Sequence, residues 1–302
     1  MTNSHDYRIE HGPYAAVITE VGASLHSLTH AGRALSAEFD AAGVRPDYSG
    51  AVLAPWPNRI ADGRYAFNGD HHQLALTEPA RGNAVHGLVA LVRFDLVEHT
   101  ADRVVLAHRL VPQSGYPYPL EITVTYQLDD AGLHWAVDTT NLGDRPAPYG
   151  CAPHPYLRAG DGPLSEWTLE LPATEYLRVT ADRLLPAGIS GVGGTELDFR
   201  TPRKIGPVAL DHAFTGIKPG DDGLARVLAL APDGRGVECT WDPAVSPWVQ
   251  VFSADRPEQQ VRRNGLAIEP MTCPPDAFNS GVDLVVLAPG QNHHVEWTIA
   301  AV

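Results

Sequence analysis

Short segments in which apolar and polar side chains alternate recur along most of the chain. The alternation is visible in residues 120–128 (LEITVTYQL), 132–140 (GLHWAVDTT) and 248–254 (WVQVFSA), and residues 293–302 continue it. A period of two places every second side chain on the same face of a β-strand. The 28 glycines and 26 prolines are spread between these segments, where turns are expected. The pattern therefore predicts antiparallel sheets with one buried face.

Helical patterns are weak throughout the sequence. No stretch of a dozen residues combines a start signal with apolar side chains at positions i, i+3, i+4 and i+7. Alternating blocks of strand and helix, which would indicate a doubly wound sheet, are missing, and no repeat of fixed period suggests a propeller. Because strand signals continue without a break in composition, we expect residues 1–302 to form a single all-β domain, built as a large antiparallel β-sandwich.

Composition places the chain among soluble globular proteins. Hydrophobic residues make up 44% and charged residues 19%, and no apolar run reaches the roughly 18 residues that span a membrane. The net charge of −14 disfavours nucleic acid as a partner, because a polyanion would be repelled. The N-terminus has no secretory signal pattern, and the three widely spaced cysteines, Cys151, Cys239 and Cys273, fit a reducing compartment. We therefore expect a cytoplasmic protein without membrane contacts.

One histidine lies in a segment whose backbone is strongly restrained. In residues 149–160 (YGCAPHPYLRAG), His154 stands between Pro153 and Pro155, each of which fixes its own φ and lacks an N–H group. Imidazole has a pKa of about 6.5, so a rigidly held His154 suits general acid–base chemistry. The alternative is a structural turn histidine that bonds to a backbone carbonyl. Both interpretations stay open on this segment alone.

Further polar residues stand beside turn formers. His86 is followed by a glycine, which allows a ligand or another part of the backbone to approach closely. Asn58 and Arg59 follow a proline and could bind hydroxyl or carboxylate oxygens. Glu269 ends an apolar run and precedes a proline, so burial could raise its pKa from about 4.3 and make it a general base. Each of these residues also has an ordinary structural or solvated role as its alternative, and Asp211 carries no signal of its own.

Metal binding and nucleophilic catalysis have little support in the sequence. The pairs His71–His72 and His293–His294 lie in predicted strands, where adjacent side chains point to opposite faces and cannot chelate one ion. The sequence contains no HExxH pattern and no Cys/His cluster. It also lacks a GxSxG motif and a glycine-rich phosphate loop. We therefore expect no metal site.

The candidate residues fall into an ordered series of motifs between residues 55 and 279. The motifs are PNRIADGRYAFNG, NAVHGLV, APHPYL, LDHAFTG, WVQVFS and IEPMTCPPDAFN. Each motif is loose by itself, but in this order the set resembles the aldose 1-epimerase (galactose mutarotase) family. The fold of that family is a large antiparallel β-sandwich, which agrees with the separate prediction from the strand pattern.

The resemblance implies a role for each matching residue. Glu269 would be the general base and His154 the general acid, while His86 would assist at the ring oxygen or position the sugar. The matches implied to bind sugar hydroxyls are Asn58, Arg59, Tyr156, Asp211 and Gln250. In the implied reaction Glu269 takes the anomeric proton and His154 protonates the ring oxygen, so that the ring opens, the C1–C2 bond rotates and the ring recloses on the other face. The spontaneous reaction already runs, so no cofactor is implied.

The sequence departs from the family pattern in three places. Leu157 stands where phenylalanine is common, Leu88 and Phe94 stand where the family often has glycine and tryptophan, and Phe252-Ser253 replaces the usual tyrosine of its strand. These changes leave the implied acid and base in place and concern the pocket walls, and hence the choice of sugar. The candidates for stacking on a sugar face, with core packing as the alternative, are Trp56, Trp248 and Phe278.

Several functions are compatible with these motifs. The first expectation is a neutral aldohexose as substrate of a monomeric or homodimeric enzyme. A hexose 6-phosphate 1-epimerase would need extra cationic side chains, and Arg81, Arg93 and Arg158 lie near the motifs. A non-catalytic carbohydrate-binding protein would keep the fold without turnover, although the presence of both Glu269 and His154 argues against it. A lyase or hydrolase on the same sandwich is a third alternative, because a fold does not determine a function.

Overall fold

The alternation in the sequence corresponds to alternating burial in the strands. The protein is described by a computed structural model that covers residues 6–40, 45–255 and 263–302. In the strand Leu120–Asp129, the side chains between the core-facing ones are exposed or half-buried. The residues of this strand that are fully buried are Leu120, Ile122, Val124, Tyr126 and Leu128. Burial of one face of such strands is the main contribution to the stability of the fold.

Strands account for nearly all regular structure in the described ranges. In chain order the strands are β1 (Asp6–His11), β2 (Tyr14–Thr19), β3 (Ser24–His30), β4 (Arg33–Ala34), β5 (Val52–Leu53), β6 (Arg59–Ala61), β7 (Arg64–Phe67), β8 (Asp70–Gln73), β9 (Asn83–Val85), β10 (Asp95–His99), β11 (Arg103–Leu110), β12 (Leu120–Asp129), β13 (Gly132–Asn141), β14 (Ala147–Tyr149), β15 (Ala152–Pro153), β16 (Tyr156–Leu157), β17 (Thr168–Glu170), β18 (Ala173–Val179), β19 (Pro186–Gly191), β20 (Arg203–Lys204), β21 (Asp211–Ile217), β22 (Ala225–Leu230), β23 (Gly236–Trp241), β24 (Trp248–Phe252), β25 (Leu266–Met271), β26 (Val285–Leu287) and β27 (Asn292–Ala301). The helical elements are α1 (Ala277–Ser280) and the 3-10 helices Pro46–Tyr48, Pro79–Arg81 and Leu164–Glu166. In the described part of the chain, no helix has the length and apolar character needed to cross a bilayer.

Three larger sheets make up the architecture. A nine-stranded sheet has the order β10-β11-β12-β13-β27-β23-β22-β17-β20, a six-stranded sheet the order β16-β25-β24-β21-β18-β19, and a four-stranded sheet the order β1-β2-β3-β4. Two-stranded ribbons pair β14 with β26, β15 with β5, β6 with β9, and β7 with β8. Every ladder between the described strands is antiparallel. The predicted all-β, antiparallel sandwich is therefore confirmed.

An aromatic row crosses the centre of the nine-stranded sheet. Tyr126, Trp135, Trp297 and Trp241 stand opposite one another on the adjacent strands β12, β13, β27 and β23. The ring centroids of Tyr126 and Trp135 are 4.9 Å apart, and those of Trp135 and Trp297 are 6.0 Å apart in an edge-on arrangement. The Tyr126 hydroxyl donates to the carbonyl of Ala23 at 2.7 Å, which ties this sheet to the turn between β2 and β3. Buried cross-strand pairs of this kind stabilise the sheet beyond the burial of their area.

The six-stranded sheet has a fully buried centre. All six residues of β25 are buried, and Glu269 in its middle is only 1% exposed. Its cross-strand neighbour on β24 is Gln250, which is 5% exposed. A strand that is covered on both faces normally carries apolar side chains only, and glutamate is almost never fully buried without polar partners. Burying Glu269 is destabilising, so its position in β25 indicates that this carboxyl group has a function.

The face of the nine-stranded sheet opposite the aromatic row carries a network of acidic and histidine side chains. His134 Nδ1 lies 2.9 Å from Glu296 Oε1, and His134 Nε2 lies 3.1 Å from Asp129 Oδ2. His294 Nδ1 lies 3.1 Å from Asp138 Oδ1 on the same face. The hydrogen bond to Glu296 raises the pKa of His134, burial opposes this, and Asp129 raises it further. The ring is therefore stabilised as an imidazolium in the folded protein.

We expect the exchange His134→Gln to lower the free energy of unfolding more at pH 6 than at pH 9. The folded-state pKa of His134 is raised, so its stabilising effect is fully present below the unfolded-state value of about 6.5 and is lost as the pH rises through the folded-state value. The loss at pH 6 should be about 1 kcal/mol, the size of a partly exposed ion pair. Urea unfolding of both proteins at the two pH values measures the difference, and equal losses would contradict the assignment.

Candidate active site

A polar cavity of about 210 Å³ lies against the buried centre of the six-stranded sheet. The lining comes from strands β16, β21, β24 and β25, from the segments around β6 and β9, and from the 3-10 helix Pro46–Tyr48. The lining residues are Asp47, Tyr48, Asn58, Arg59, Thr77, Glu78, Val85, His86, His154, Tyr156, Asp211, Gln250, Phe252 and Glu269. All eight residues that the sequence singled out as catalytic or substrate-binding belong to this set.

Three polar side chains reach the cavity from neighbouring strands of the six-stranded sheet. Glu269 on β25 stands opposite Gln250 on β24, and Gln250 Nε2 donates to Oδ1 of Asp211 on β21 at 2.8 Å. Burial raises the pKa of Glu269 well above its usual range, the negative charge of Asp211 adds to this, and Arg59 opposes it. Glu269 Oε2 has no hydrogen-bond partner among the described residues. This oxygen is therefore available to a ligand hydroxyl.

His154 lies opposite Glu269 on the side away from Gln250. Strand β16 pairs with β25 through Tyr156 and Leu157, and His154 lies two residues before this ladder. His154 Nε2 is 3.5 Å from Glu269 Oε1. The side chain is 4% exposed, and burial lowers the pKa of His154 to about 4. The segment that leads into β16 therefore brings a potential acid next to a potential base.

The backbone of His154 is fixed by hydrogen bonds as well as by its flanking prolines. Its N–H donates to the carbonyl of Ala51 at 3.0 Å, and its own carbonyl accepts from the N–H of Gly50 at 2.8 Å. The ring atom Nδ1 has no hydrogen-bond partner in the described ranges, in contrast to the structural turn histidine considered above. The prolines and these backbone hydrogen bonds thus hold a buried ring in place beside Glu269.

His86 and Asn58 hold one another in place through two hydrogen bonds. The N–H of His86 donates to the carbonyl of Asn58 at 2.9 Å, and the N–H of Asn58 donates to His86 Nδ1 at 3.2 Å. Burial lowers the pKa of His86 well below its usual value, and the charges of His154 and Arg59 lower it further. The ring is therefore neutral, and because Nδ1 accepts a hydrogen bond, its proton is assigned to Nε2. His86 thus offers the cavity a hydrogen-bond donor in a defined orientation.

Arg59 is held at the cavity by a carboxylate. Arg59 Nε and Nη2 donate to the two oxygens of Glu78 at 2.9 and 3.1 Å, and Arg59 Nη1 donates to Asn58 Oδ1 at 3.2 Å. Two parallel bonds of this kind match the planar fork of a guanidinium and fix its orientation. Glu78 also accepts from Arg81 at 3.2 Å and from Asn83 at 2.9 Å.

Sequence reasoning missed Glu78 and Tyr48. Glu78 precedes a proline, as Glu269 does, and this shared dipeptide is the signal that could have found it. The Tyr48 ring lies 4.6 Å from the His86 ring, in a turn where Asp47 and Tyr48 both have positive φ, 46° and 56°. A left-handed conformation at two consecutive non-glycine residues is unfavourable and leaves no mark in the sequence. The contribution of Tyr48 to the cavity lining could therefore not be predicted from the sequence.

The three aromatic residues considered for sugar stacking lie in the core and outside the cavity lining. Trp56 packs edge-on against Phe278 with ring centroids 5.7 Å apart, and both belong to the main hydrophobic core. Trp248 is 3% exposed, and its Nε1 donates to Asp283 at 2.7 Å. The core-packing alternative is therefore correct for all three. The aromatic side chains that do line the cavity are Tyr48, Tyr156 and Phe252.

Within residues 6–40, 45–255 and 263–302, no group of three or more His, Cys, Asp or Glu side chains is arranged to hold a metal ion. The three cysteines are buried and unpaired. Burial raises the pKa of Cys151 and Cys273 to about 12 and also raises that of Cys239. Thiolate chemistry at neutral pH is therefore not favoured at these positions.

The cavity combines a buried carboxyl–imidazole pair with amide, guanidinium and hydroxyl groups, a constellation typical of acid–base enzymes that act on small hydroxyl-rich molecules. The family model described as aldose 1-epimerase matches residues 5–300 of this chain. YihR of Escherichia coli K12, an uncharacterised protein, is 36% identical over 289 residues, which cover 95% of this chain and 90% of that protein. Galactose mutarotase of Rattus norvegicus is 27% identical over 285 residues, which cover 86% of this chain and 81% of that protein. The chain belongs to the aldose 1-epimerase family, and this membership implies an isomerase acting on carbohydrates.

The fold agrees with this family. The crystal structure of an aldose epimerase homologue from C. elegans matches 99% of this chain and 99% of its own chain with a TM-score of 0.84 and 21% sequence identity. At this level of identity the similarity concerns the fold. The expected galactose mutarotase-like β-sandwich is thereby confirmed.

We expect Gly87→Ala to destabilise the protein far more than Gly69→Ala. Both glycines have positive φ, +74° and +88°, so an alanine at either position should cost about 1–2 kcal/mol in backbone strain. A Cβ at Gly87 would in addition overlap the carbonyl oxygen of Ala54, whereas a Cβ at Gly69 would meet no atom within 4 Å. The overlap should add about 1–3 kcal/mol. Chemical unfolding of the two variants measures both losses, and equal values would contradict the close packing beside His86.

Proposed function

We propose that this protein is a mutarotase that interconverts the α and β anomers of a free aldohexose by acid–base ring opening and closure. The observation that carries the proposal is the buried Glu269–His154 pair, with Oε1 and Nε2 3.5 Å apart. The anomeric hydroxyl and the ring oxygen are both bonded to C1, so a base and an acid that serve them must lie close together. We further propose that residues 1–302 form one catalytic domain, which the match over residues 5–300 supports.

A single proton shared by the pair is sufficient for this reaction. Before a sugar binds, burial raises the pKa of Glu269 and lowers that of His154 to about 4, so the proton resides on Glu269. A sugar hydroxyl that donates to Glu269 Oε2 stabilises the carboxylate, because a hydrogen bond to the charged form favours that form. Sugar binding thus moves the proton toward His154 and prepares the base and the acid together.

The ring then opens by two coupled proton transfers. Glu269 removes the proton of the anomeric hydroxyl while His154 protonates the ring oxygen, which breaks the bond between C1 and that oxygen. Rotation about C1–C2 turns the other face of the aldehyde to the C5 hydroxyl. For closure His154 takes the proton of that hydroxyl, and Glu269 returns its proton to the aldehyde oxygen. Each well-positioned transfer contributes about 10²- to 10⁴-fold in rate.

The remaining lining residues suit the binding of a polyhydroxyl ligand. The Nε2–H of His86 is a donor for the ring oxygen or a neighbouring hydroxyl. The linked side chains of Asp211 and Gln250 present an acceptor and a donor from adjacent strands. Burial raises the pKa of Tyr156, so its hydroxyl remains protonated. The residues proposed to bind the sugar are Asn58, Arg59, Tyr156, Asp211 and Gln250.

The charges around the cavity favour a neutral sugar over a hexose 6-phosphate. The one arginine in the described lining is Arg59, whose charge is paired with Glu78. The three arginines considered for a phosphate pair with carboxylates instead: Arg81 with Glu78 at 3.2 Å, Arg93 with Glu20 at 2.8 Å and Arg158 with Asp161 at 3.1 Å. A purely binding function is less well supported, because binding alone would not require an acid and a base at the anomeric centre.

We expect the protein to accelerate the mutarotation of freshly dissolved α-D-glucose or α-D-galactose, followed by polarimetry. Glu269→Gln and His154→Ala should each lower kcat/KM by about 10²-fold or more, because each removes one proton transfer. His134→Gln, which changes a histidine on the open face of the nine-stranded sheet, is the matched control and should keep wild-type activity. Wild-type protein that leaves neutral hexoses at the spontaneous rate would refute the proposal.

We expect the rate to depend on pH as a broad bell. The pair must hold one proton: below about pH 4 His154 and Glu269 are both protonated, and no base is left. Above the raised pKa of Glu269 the pair loses its last proton, and no acid is left. Initial rates corrected for buffer catalysis test this between pH 3 and 10. A rate that falls as the pH is lowered from 7 to 6, where an exposed histidine becomes protonated, would speak against a buried His154.

A further inference from the structure

A carboxylate outside the proposed acid–base pair gathers several donors at the cavity wall. Glu78 accepts hydrogen bonds from Arg59, Arg81 and Asn83. The Glu78 side chain is 17% exposed and that of Arg59 is 12% exposed, so the pair is largely shielded from solvent. Burial opposes the ionisation of Glu78, but the hydrogen bonds from Arg59 and Asn83 outweigh it and keep the pKa of Glu78 below its ordinary value. Glu78 is therefore a carboxylate at neutral pH.

The contacts of Glu78 continue into the proposed sugar-binding residues. Two N–H groups of Arg59 are held by Glu78, and a third, on Nη1, donates to Asn58 Oδ1. The backbone N–H of Asn58 in turn donates to His86 Nδ1. A guanidinium has five N–H donors in a rigid fork, so fixing three of them determines where the other two point. The orientation of Arg59 in the cavity thus depends on Glu78.

We propose that Glu78 is a positioning residue for the epimerase reaction, which fixes the Arg59 guanidinium for the sugar and balances the Arg59 charge beside Glu269. The inference rests on the proposed function, and it assigns a role to a residue that does not touch the reacting atoms. Charges interact far more strongly in a shielded cavity than in water. Removing the carboxylate would therefore leave Arg59 both less well oriented and uncompensated.

The electrostatic part of this role has a distinct signature. The charge of Arg59 lowers the pKa of Glu269, against the effect of burial. When Glu78 loses its charge, this effect of Arg59 grows, and the pKa of Glu269 falls. The alkaline limb of the pH–rate profile then moves to lower pH, because the pair loses its last proton earlier. A carboxylate that only supported the local fold would not produce this shift.

The test compares Glu78→Gln with the conservative Glu78→Asp and with a control, Glu238→Gln. Glu238 accepts from Arg226 Nε at 2.9 Å on the nine-stranded sheet and does not line the cavity, so its exchange removes a similar pair at a remote place. We expect Glu78→Gln to raise KM by about 10- to 100-fold, the effect of losing a charge-assisted hydrogen bond, with a smaller change in kcat. Glu78→Asp should recover part of this loss, and Glu238→Gln should match the wild type. Melting temperatures establish that each variant is folded.

A second variant shows whether Glu78 acts through Arg59. Arg59→Lys keeps the charge but cannot form the two parallel bonds. In this background, Glu78→Gln should change KM by less than threefold if the two residues act as a unit. Fully additive losses of Glu78→Gln and Arg59→Lys would overturn the inference. An active Glu78→Gln with unchanged KM and an unshifted alkaline limb would overturn it as well.

Sugar binding measured by calorimetry separates this inference from the proposed function. If the wild type binds hexose without turnover and Glu78→Gln weakens binding at least tenfold, the epimerase function fails and the positioning of Arg59 by Glu78 is supported. If the wild type turns over hexose and Glu78→Gln behaves like it in binding, KM and pH profile, the function stands and the inference fails. A wild type that neither binds nor turns over hexose overturns both.

Discussion

A carboxyl group buried in the middle of a central strand is the constraint on which the site depends. Glu269 occupies a fully buried position in β25, and burying an ionisable group without partners costs several kcal/mol. Gln250 on β24 stands opposite Glu269, and the Nε2 of His154, two residues before β16, lies 3.5 Å from Glu269 Oε1. The place of Glu269 in β25 and the backbone hydrogen bonds of His154 to Gly50 and Ala51 therefore set the distance between the proposed base and the proposed acid. The cost of burying Glu269, its raised pKa and its short distance to His154 all follow from its position in β25.

The opposite wall of the cavity is built by different means. Asn58 and His86 have positive φ, 55° and 61°. The N–H of His86 donates to the Asn58 carbonyl, and the N–H of Asn58 donates to the His86 ring at Nδ1. The charged pair of Arg59 and Glu78 is part of this wall and stabilises it. The six-stranded sheet thus carries the proposed base Glu269 together with Tyr156, Asp211 and Gln250. Asn58, Arg59 and His86 come from the segments around β6 and β9.

The sequence was most informative where residue type and periodicity have a direct structural consequence. Alternation in β12 and β13 predicted strands because all core-facing side chains of β12 and most of those of β13 are apolar. The ordered motifs predicted that Glu269, His154 and their neighbours belong to one site. Glu78 and Tyr48 were not predicted. Neither the ion pair of Glu78 with Arg59 nor the strained backbone at Tyr48 produces a periodic pattern in the sequence. For Trp56 and Trp248 the sequence left two roles open, because it does not show whether an aromatic residue near a motif lines a cavity or packs in the core.

The depth at which Glu269 and His154 lie has a consequence for turnover. In the proposed cycle the proton that leaves the anomeric hydroxyl and the one that reaches the ring oxygen both return to their donors when the ring closes. The site therefore ends each cycle with the same protons and the same charge, whichever anomer departs. Such a reaction needs no water channel or surface relay to recharge the acid or to empty the base, so complete enclosure of the pair is compatible with repeated turnover. An enzyme whose reaction released a net proton could not bury its catalytic groups in this way without an exit path.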